Sequence, residues 1–322
     1  MQQLDYKPLT RKVSLSEKLK IKNVLLSIFV IIVSVVMVIV GIIAMLSDIL
    51  PEIFLLMIPP GIVALAFSLT VFSVAGVSLR FGEFADLNNA AHESGRPYDE
   101  RPGIIFSTGH SKKFTDIVTF SNGLIAELGV YQCTTGGGRR RQDHYFSFVR
   151  VKLPRRLPNM ILDSKQNNWF GGRLSNLPQG FSSDQRLSLE GNFDSHYNLY
   201  VPEQYHRDAL YVFTPDVMHA LVESTRTYDC EVIDDSFYVF SDSQYRPTKL
   251  EIIQEMAAIA ERVGREISEQ ADYYADERIG DRSKNVIAEH GAKIKAHIPP
   301  VVIVAALVGM LLLLAQLIDG FM

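Results

Sequence analysis

Two long uncharged runs near the N-terminus constrain the fold more than any other feature of the sequence. Residues 23–46 form a run of 24 residues and residues 54–79 a run of 26, and neither contains a charged side chain. At about 1.5 Å per residue, a helix of either length crosses a hydrocarbon core of about 30 Å. Only seven residues separate the runs. The pattern predicts a transmembrane helical hairpin over residues 23–79.

A third apolar run, residues 299–318, predicts a transmembrane helix near the C-terminus. The stretch between the runs is long enough for a soluble domain. The predicted fold class is a membrane protein with an α+β soluble domain and three transmembrane helices. The predicted segments are a basic segment 1–22, the hairpin 23–79, an α+β domain 80–245, a long amphipathic helix 246–297 and the last span 299–318.

The distribution of charge predicts the orientation of these helices. Residues 1–22 contain six basic and two acidic side chains, and the loop after the first run contains Asp48 and Glu52 but no base. Lysine and arginine near helix ends favour the cytoplasmic side. We therefore expect an inner-membrane, multi-pass protein with its N-terminus and main domain in the cytoplasm and its C-terminus outside. The soluble stretch between the runs holds 26 basic and 31 acidic residues, a net charge of −5, which argues against nucleic acid as a partner.

The soluble stretch alternates strand-like and helical patterns. Thr214 and Pro215 are typical of a helix start and predict a helix over residues 215–225. Two hairpins are predicted, one turning at 121–123 and one at 234–235. The strand candidates are 114–120, 124–133, 145–153, 159–163, 187–190, 197–201, 209–213, 229–233 and 236–240.

The predicted C-terminal helix has an apolar seam with steps of three and four residues. The seam consists of Ile253, Met256, Ala260, Val263, Ile267, Gln270 and Tyr274. One interpretation is self-association through residues 250–275 as a coiled coil. The alternative is a helix that packs against its own sheet, because a firm coiled-coil assignment needs three or more heptads.

Three consecutive arginines follow a glycine run at the tip of a predicted hairpin. Gly136–Gly138 free the backbone, and Arg139, Arg140 and Arg141 supply guanidinium groups that bind phosphate or carboxylate. The segment is not a P-loop, because no Gly-Lys-Ser/Thr follows. It is either a site for anionic lipid, nucleotide or an acidic partner, or a solvated tip.

Two short acid–imidazole pairs form the only metal-like pattern that the sequence offers. Asp194 and His196, and His206 and Asp208, are each separated by one residue. Residues at i and i+2 of a strand share a face, so two such strands can join two imidazoles and two carboxylates. This reading predicts a metal-dependent hydrolase. The alternative is ordinary turn chemistry, since no His-Glu-x-x-His motif is present.

The sequence gives little sign of other chemistry. Cys133 and Cys230 lie on predicted strands among apolar neighbours, which favours buried free thiols. No nucleophile motif and no cofactor motif is present, so we predict no cofactor and favour a protein that is not an enzyme.

Five short motifs stand out in the soluble stretch: LEGNFD at 189–194, YNLY at 197–200, ALYVFTPDVM at 209–218, YDCEVI at 228–233 and FYVF at 237–240. Together they resemble those of a group of bacterial membrane proteins with an N-terminal transmembrane helix pair and a cytosolic α+β domain of unknown function. The resemblance covers residues 23–240 and implies no activity, so no functional residue is carried over from it.

The leading hypothesis is a non-enzymatic module that presents its domain at the inner face of the membrane, to a protein partner or to a second copy of itself. The alternatives are the metal-dependent hydrolase and a sensor of anionic lipid or nucleotide.

Overall fold

The computed structural model describes residues 4–19, 22–47, 51–168, 175–224, 227–241 and 251–296. It contains an antiparallel sheet with helices, preceded by two long apolar helices. The predicted third span, 299–318, lies outside these residues. The chain divides into two compact units. The first unit comprises Met1–Gly95, Asp116–Ser121 and Tyr245–Ile252, and the second comprises Arg96–Thr115, Asn122–Gln244 and Ile253–Met322.

The first unit contains α1 (Lys7–Thr10), α2 (Leu15–Leu19), α3 (Lys22–Ser47) and α4 (Pro51–Leu87). Stretches of 23 residues in α3 and 32 residues in α4 are long and apolar enough to cross a membrane. This confirms the predicted pair of apolar helices. Helix α4 continues beyond the predicted end of the hairpin, residue 79, to Leu87.

Glycines allow α3 and α4 to approach each other closely. A Cβ atom at Gly41 would lie 2.6 Å from Cγ1 of Ile58, and one at Gly61 would lie 3.0 Å from Cγ2 of Val38. Larger residues at either glycine would separate the helices. Small residues serve the same purpose in membrane helix pairs.

The basic N-terminal segment packs against the C-terminal end of α4. Arg11 donates to both carboxylate oxygens of Glu83, with 2.6 Å from Nε to Oε2, and it also reaches Glu17 at 3.1 Å. Arg80 Nη1 donates to the carbonyl oxygen of Leu9 at 3.3 Å. At least part of the basic charge in residues 1–22 therefore serves a tertiary contact.

The described residues form a seven-stranded sheet in the order β1-β2-β3-β4-β6-β5, and β7 also pairs with β4. The strands are β1 (Ala90–Pro97), β2 (His110–Phe120), β3 (Ile125–Thr135), β4 (Gln142–Ser164), β5 (Arg186–Leu187), β6 (Tyr197–Tyr200) and β7 (Asp229–Ser241). The neighbours β2 and β3 flank Gly123, which has φ 102°. The predicted first hairpin is confirmed.

Strand β4 joins two segments that the sequence predicted as separate strands, 145–153 and 159–163. Its register against β7 shifts on both sides of Leu157. Pro154 and Pro158 flank this position, and proline cannot donate a hydrogen bond to a sheet. The interruption is therefore a bulge within one long strand.

Strand β7 likewise replaces the predicted second hairpin, so the turn expected at 234–235 is wrong. Asp234 lies opposite Leu157 in the sheet and has φ 57°. Aspartate tolerates this left-handed backbone better than most residues. The same property suits bulges and turns, which is why the sequence pattern favoured a turn.

The rest of the described chain contains short helices and one long one, which belong to the second unit except for Glu251 and Ile252 at the start of the long helix. They are α5 (Ile104–Ser107), α6 (Phe193–His196), α7 (His206–Val212), α8 (Pro215–Ser224), α9 (Glu251–Tyr273) and α10 (Glu289–Ala292). Helix α8 confirms the predicted helix start, because the carbonyl oxygen of Thr214 accepts from Met218 N at 2.9 Å.

The predicted strand at 209–213 is wrong, because these residues belong largely to α7. Ala209 and Val212 are buried, whereas Leu210 and Tyr211 are exposed. Burial at a spacing of three residues is typical of a helix with one buried face. The β-forming composition of the segment misled the prediction, because tertiary packing overrides propensity.

Helix α9 buries the predicted seam within the chain, since Met256, Ala260, Val263 and Ile267 are inaccessible to solvent. A Cβ at Gly264 would lie 2.8 Å from Cγ2 of Val151, so the helix packs closely on β4. This arrangement agrees with the alternative of packing on its own sheet. The helix ends at Tyr273, so the prediction of one helix to residue 297 is wrong.

Candidate functional site

A cleft of about 540 Å³ lies beside α7, the end of α9 and the 3₁₀ turn Glu277–Ile279 that follows α9. Arg207 and Tyr211 line it from α7, where a spacing of four residues places them on the same side of the helix. A hydrogen bond with Tyr211 raises the pKa of Arg207. Tyr273, Arg278 and Arg282 also line the cleft.

Arg278 connects the 3₁₀ turn to α7. Its Nη2 and Nη1 atoms donate to the two carboxylate oxygens of Asp208 at 2.8 and 3.1 Å. The guanidinium carbon lies 3.8 Å from the ring centroid of Tyr205. The hydrogen bond with Asp208 raises the pKa of Arg278. A bidentate pair stacked on an aromatic ring fixes the guanidinium in one orientation.

Asp276 holds the base of this arrangement together. Its carboxylate accepts from Tyr205 Oη at 2.6 Å, from Ala288 N at 2.9 Å and from Arg278 N at 3.0 Å. Burial alone would raise the pKa of Asp276, but these hydrogen bonds lower it below its ordinary value. Burial and the bond to Asp276 raise the pKa of Tyr205. The site is therefore built around an ionised carboxylate and a neutral phenol.

Two of the residues that line the cleft are exposed tyrosines. Tyr273 is 91% exposed and Tyr211 60%, and Leu210, next to Tyr211 on α7 but outside the cleft lining, is 54% exposed. Among the described residues of the second unit, Val286 is the other large apolar side chain that is exposed. Clustered exposed apolar side chains mark interaction sites more often than isolated ones do.

The Gly-Arg tip is an exposed 3₁₀ turn, Gly138–Arg140, between β3 and β4. Arg139 and Arg140 form no ion pair with any residue that the structure describes, whereas Arg141 lies 3.4 Å from Asp143. Gly136 has φ 70°, and a Cβ there would overlap the carbonyl oxygen of Arg140. Arg139 and Arg140 therefore lie in one turn whose shape depends on glycine, and Arg141 directly follows it.

The two acid–imidazole pairs do not lie on strands, so the argument for a shared face is wrong. Asp194 and His196 belong to α6, and His206 and Asp208 belong to α7. Residues two apart on a helix point about 200° apart, as 3.6 residues make one turn. The short β-like segments around both pairs gave no sign of these helical turns.

Two of these four residues have structural partners. The carboxylate of Asp194 accepts from Ser188 Oγ and from Leu189 N, and Asp208 pairs with Arg278. Across the described ranges, no three His, Cys, Asp or Glu side chains are grouped so that they could hold a metal ion. The predicted metal centre therefore has no assembled ligand set among these residues.

Sequence analysis did not identify two buried acids on β7. Glu231 accepts from Ile104 N at 2.7 Å and from Asn159 Nδ2 at 2.8 Å, beside a cavity of about 270 Å³. Burial raises the pKa of Glu231 to about 7 and that of Asp229 to about 8. The available signal was two acids at alternate positions, 229 and 231, in the segment 229–233, whose other residues are apolar.

No family model matches the chain, and no curated protein matches it. Among solved structures, the crystal structure of the mycobacterial trehalose monomycolate transport factor A, TtfA, is similar with a TM-score of 0.38 and 9% sequence identity. The match covers 61% of this chain and 94% of that one. At this level the similarity supports no inference about function.

Proposed function

We propose that this protein is a membrane-anchored interaction module of the bacterial inner membrane. Helices α3 and α4, with residues 299–318 as a third span, hold the chain in the bilayer. The second unit faces the cytoplasm and binds a protein partner. The observation that carries the proposal is the outward-facing apolar surface of α3 and α4.

Exposing this apolar surface to water is energetically unfavourable. Buried residues make up 17% of the most apolar window of α3 and 21% of that of α4, whereas a core helix of a soluble protein would be mostly buried. Leu46, Leu56 and Phe67 are each at least 70% exposed. A contiguous apolar surface of this length requires lipid or a large protein partner.

The charges at the helix ends support the proposed orientation. The basic residues of the N-terminal segment and Arg80 near the end of α4 lie at the same end of the helix pair, since Arg80 donates to Leu9. Positively charged ends favour the cytoplasmic side of the membrane. The N-terminal segment and the second unit would then both lie in the cytoplasm.

Interaction is favoured over catalysis by the surface of the second unit. The polar residues of the α7–α9 cleft hold one another in place, while Tyr211 and Tyr273 remain exposed at its edge. Tyrosine and arginine dominate the energetics of protein interfaces. Catalysis would instead require reactive side chains that are grouped in one site.

The anchoring and orientation can be tested together by extraction and cysteine labelling. Both native cysteines are buried, so added ones report cleanly. We expect the chain to stay in the membrane pellet at alkaline pH. An impermeant maleimide should label Asp48→Cys in intact spheroplasts and Glu190→Cys only after permeabilisation. Wild-type protein is the background control. Release by alkali, or labelling of Glu190→Cys from outside, would reject the proposal.

A second candidate function is contact with anionic phospholipid through the Gly-Arg tip. Its specific support is that Arg139 and Arg140 are exposed and make no ion pair with the described part of the chain. Each basic residue near an anionic surface contributes about 1 kcal/mol. This contact is compatible with the anchoring function and independent of the cleft.

Trypsin cleavage at the tip tests this candidate on the full chain in nanodiscs. We expect cleavage after Arg139–Arg141 to slow several-fold when phosphatidylglycerol replaces part of the phosphatidylcholine, and high salt to restore the rate, because the attraction is electrostatic. Cleavage after the exposed Arg282 is the internal control. Equal rates in both lipids at the tip would show that it does not contact the bilayer.

A further inference from the structure

We propose that the cleft beside α7 and α9 is the docking site for an acidic segment of a partner protein that carries an aromatic or apolar anchor residue. This rests on the proposed interaction function and specifies its partner. The apolar anchor would pack between Tyr211 and Tyr273, and carboxylates on either side of it would pair with Arg207 and Arg282.

The exposed tyrosines provide the apolar part of the site. Tyr211 and Tyr273 come from different helices and line the same cleft. Tyr273 is 91% exposed, so its ring is accessible to a partner. Aromatic side chains supply large contact area at low conformational cost, which suits them to anchoring a partner.

The arginines give the cleft its charge preference. Arg207 is exposed. Besides its hydrogen bond with Tyr211, the charges of the Glu277 and Asp208 carboxylates raise its pKa, although neither carboxylate forms an ion pair with it. Arg282 pairs with Glu277 at 3.3 Å, with both side chains more than 70% exposed. An exposed pair of this kind contributes little stability, so a partner carboxylate can replace Glu277 at low cost.

The base of the cleft is already rigid before any partner binds. Arg278 is held by Asp208 and by the ring of Tyr205, and the buried Asp276 fixes the turn that carries Arg278. A preformed site loses less entropy on binding than a flexible one. The exposed side chains therefore project from a fixed frame.

The same charges favour a peptide over a nucleotide. Asp208 and Glu277 line the cleft together with the arginines, so positive and negative groups alternate. Closely spaced phosphates would be repelled by these carboxylates, whereas single carboxylates spaced along a peptide can avoid them. A phosphate site would also offer backbone N–H groups, but the N–H of Arg278 is already bonded to Asp276.

Fluorescence anisotropy with defined peptides tests the proposal on the full chain in detergent micelles. The probes are labelled peptides with Asp or Glu around one Phe or Trp. Matched peptides replace the acids with Asn and Gln, or the aromatic residue with Ala. We expect the acidic aromatic peptides to bind at least tenfold more tightly than either matched set. ATP and inorganic tripolyphosphate serve as competitors for the nucleotide alternative.

Variants then locate the binding. Arg207→Glu with Arg282→Glu should weaken binding of the acidic aromatic peptides at least tenfold, and Tyr273→Ala several-fold. These side chains are exposed, so the fold should be unaffected, which circular dichroism verifies. Arg139→Glu with Arg140→Glu makes the same charge change at the tip and should leave binding unchanged. The proposal is overturned if no peptide binds, if the cleft variants bind like wild type, or if ATP binds there instead. Failure of membrane anchoring would not alter these affinities.

Discussion

Replacing Asp276 by alanine is expected to lower the free energy of unfolding of the second unit by about 3 kcal/mol. Asp276 is 3% exposed and accepts hydrogen bonds from Tyr205 Oη, Ala288 N and Arg278 N. Alanine would leave these donors without their acceptor. Each buried donor left unpaired costs about 1–3 kcal/mol, so losses from the phenol and the two amides add to a large effect.

The chain offers a matched control for this substitution. Asp281 also accepts hydrogen bonds, from Ser283 N and Ser283 Oγ, but it is exposed. Asp281→Ala should change the unfolding free energy by less than about 0.5 kcal/mol, because water replaces the lost partner. Urea denaturation of both variants in detergent, followed by near-ultraviolet circular dichroism, measures the difference. Equal losses in the two variants would show that the buried carboxylate does not hold the turn.

The features that could be predicted from sequence are those in which neighbouring residues carry the whole signal. The uncharged runs in α3 and α4 need only a count of apolar residues. The start of α8 is specified by Thr214 and Pro215, and the turn between β2 and β3 by residues 121–123. In each case local geometry and tertiary structure favour the same conformation.

The errors occur where distant contacts decide the local conformation. Residues 209–212 have strand-like composition, but Ala209 and Val212 become the buried face of a helix. Pro154, Pro158 and Asp234 favour turns locally, yet pairing between β4 and β7 converts them into bulges within long strands. A single sequence shows neither the partner strand nor the partner helix.

The candidate site shows the same contrast between local sequence signals and distant contacts. Arg139, Arg140 and Arg141 were identified as a group because they are consecutive. The cleft combines Arg207 and Tyr211 with Tyr273, more than 60 positions later, and no local pattern connects them. The fold brings them together through the bonds of Arg278 to Asp208 and of Asp276 to Tyr205.

Raising the pH from about 5 to about 8 is expected to destabilise the second unit, because two buried acids on β7 resist ionisation. Burial raises the pKa of Glu231 to about 7 and that of Asp229 to about 8. In an unfolded chain these groups titrate near pH 4. Between these values the folded state keeps protons that the unfolded state has lost, so stability falls as the pH rises and levels off above about 8.

Glu231→Gln isolates the contribution of one of these acids. Each unit of pKa difference corresponds to about 1.4 kcal/mol, so Glu231 alone accounts for a decline on the order of 3–4 kcal/mol across its window of about pH 4 to 7. Glutamine cannot ionise, and the variant should lose this part of the pH dependence. The NH₂ group of the glutamine also faces one of the two donors, Ile104 N or Asn159 Nδ2, which loses its acceptor. This loss lowers the free energy of unfolding by about 1–2 kcal/mol at every pH.

Urea denaturation at several pH values separates these two effects. The wild-type midpoint should fall steadily from about pH 5 to about pH 8, and that of Glu231→Gln should fall much less. Glu190→Gln is the matched control. Glu190 is exposed, so this substitution should leave the pH dependence of the urea midpoint as it is in the wild type. A Glu231→Gln slope equal to that of wild type would mean that Glu231 does not exchange a proton on unfolding. The hydrogen bonds from Ile104 and Asn159 would then be strong enough to keep this carboxylate ionised despite its burial.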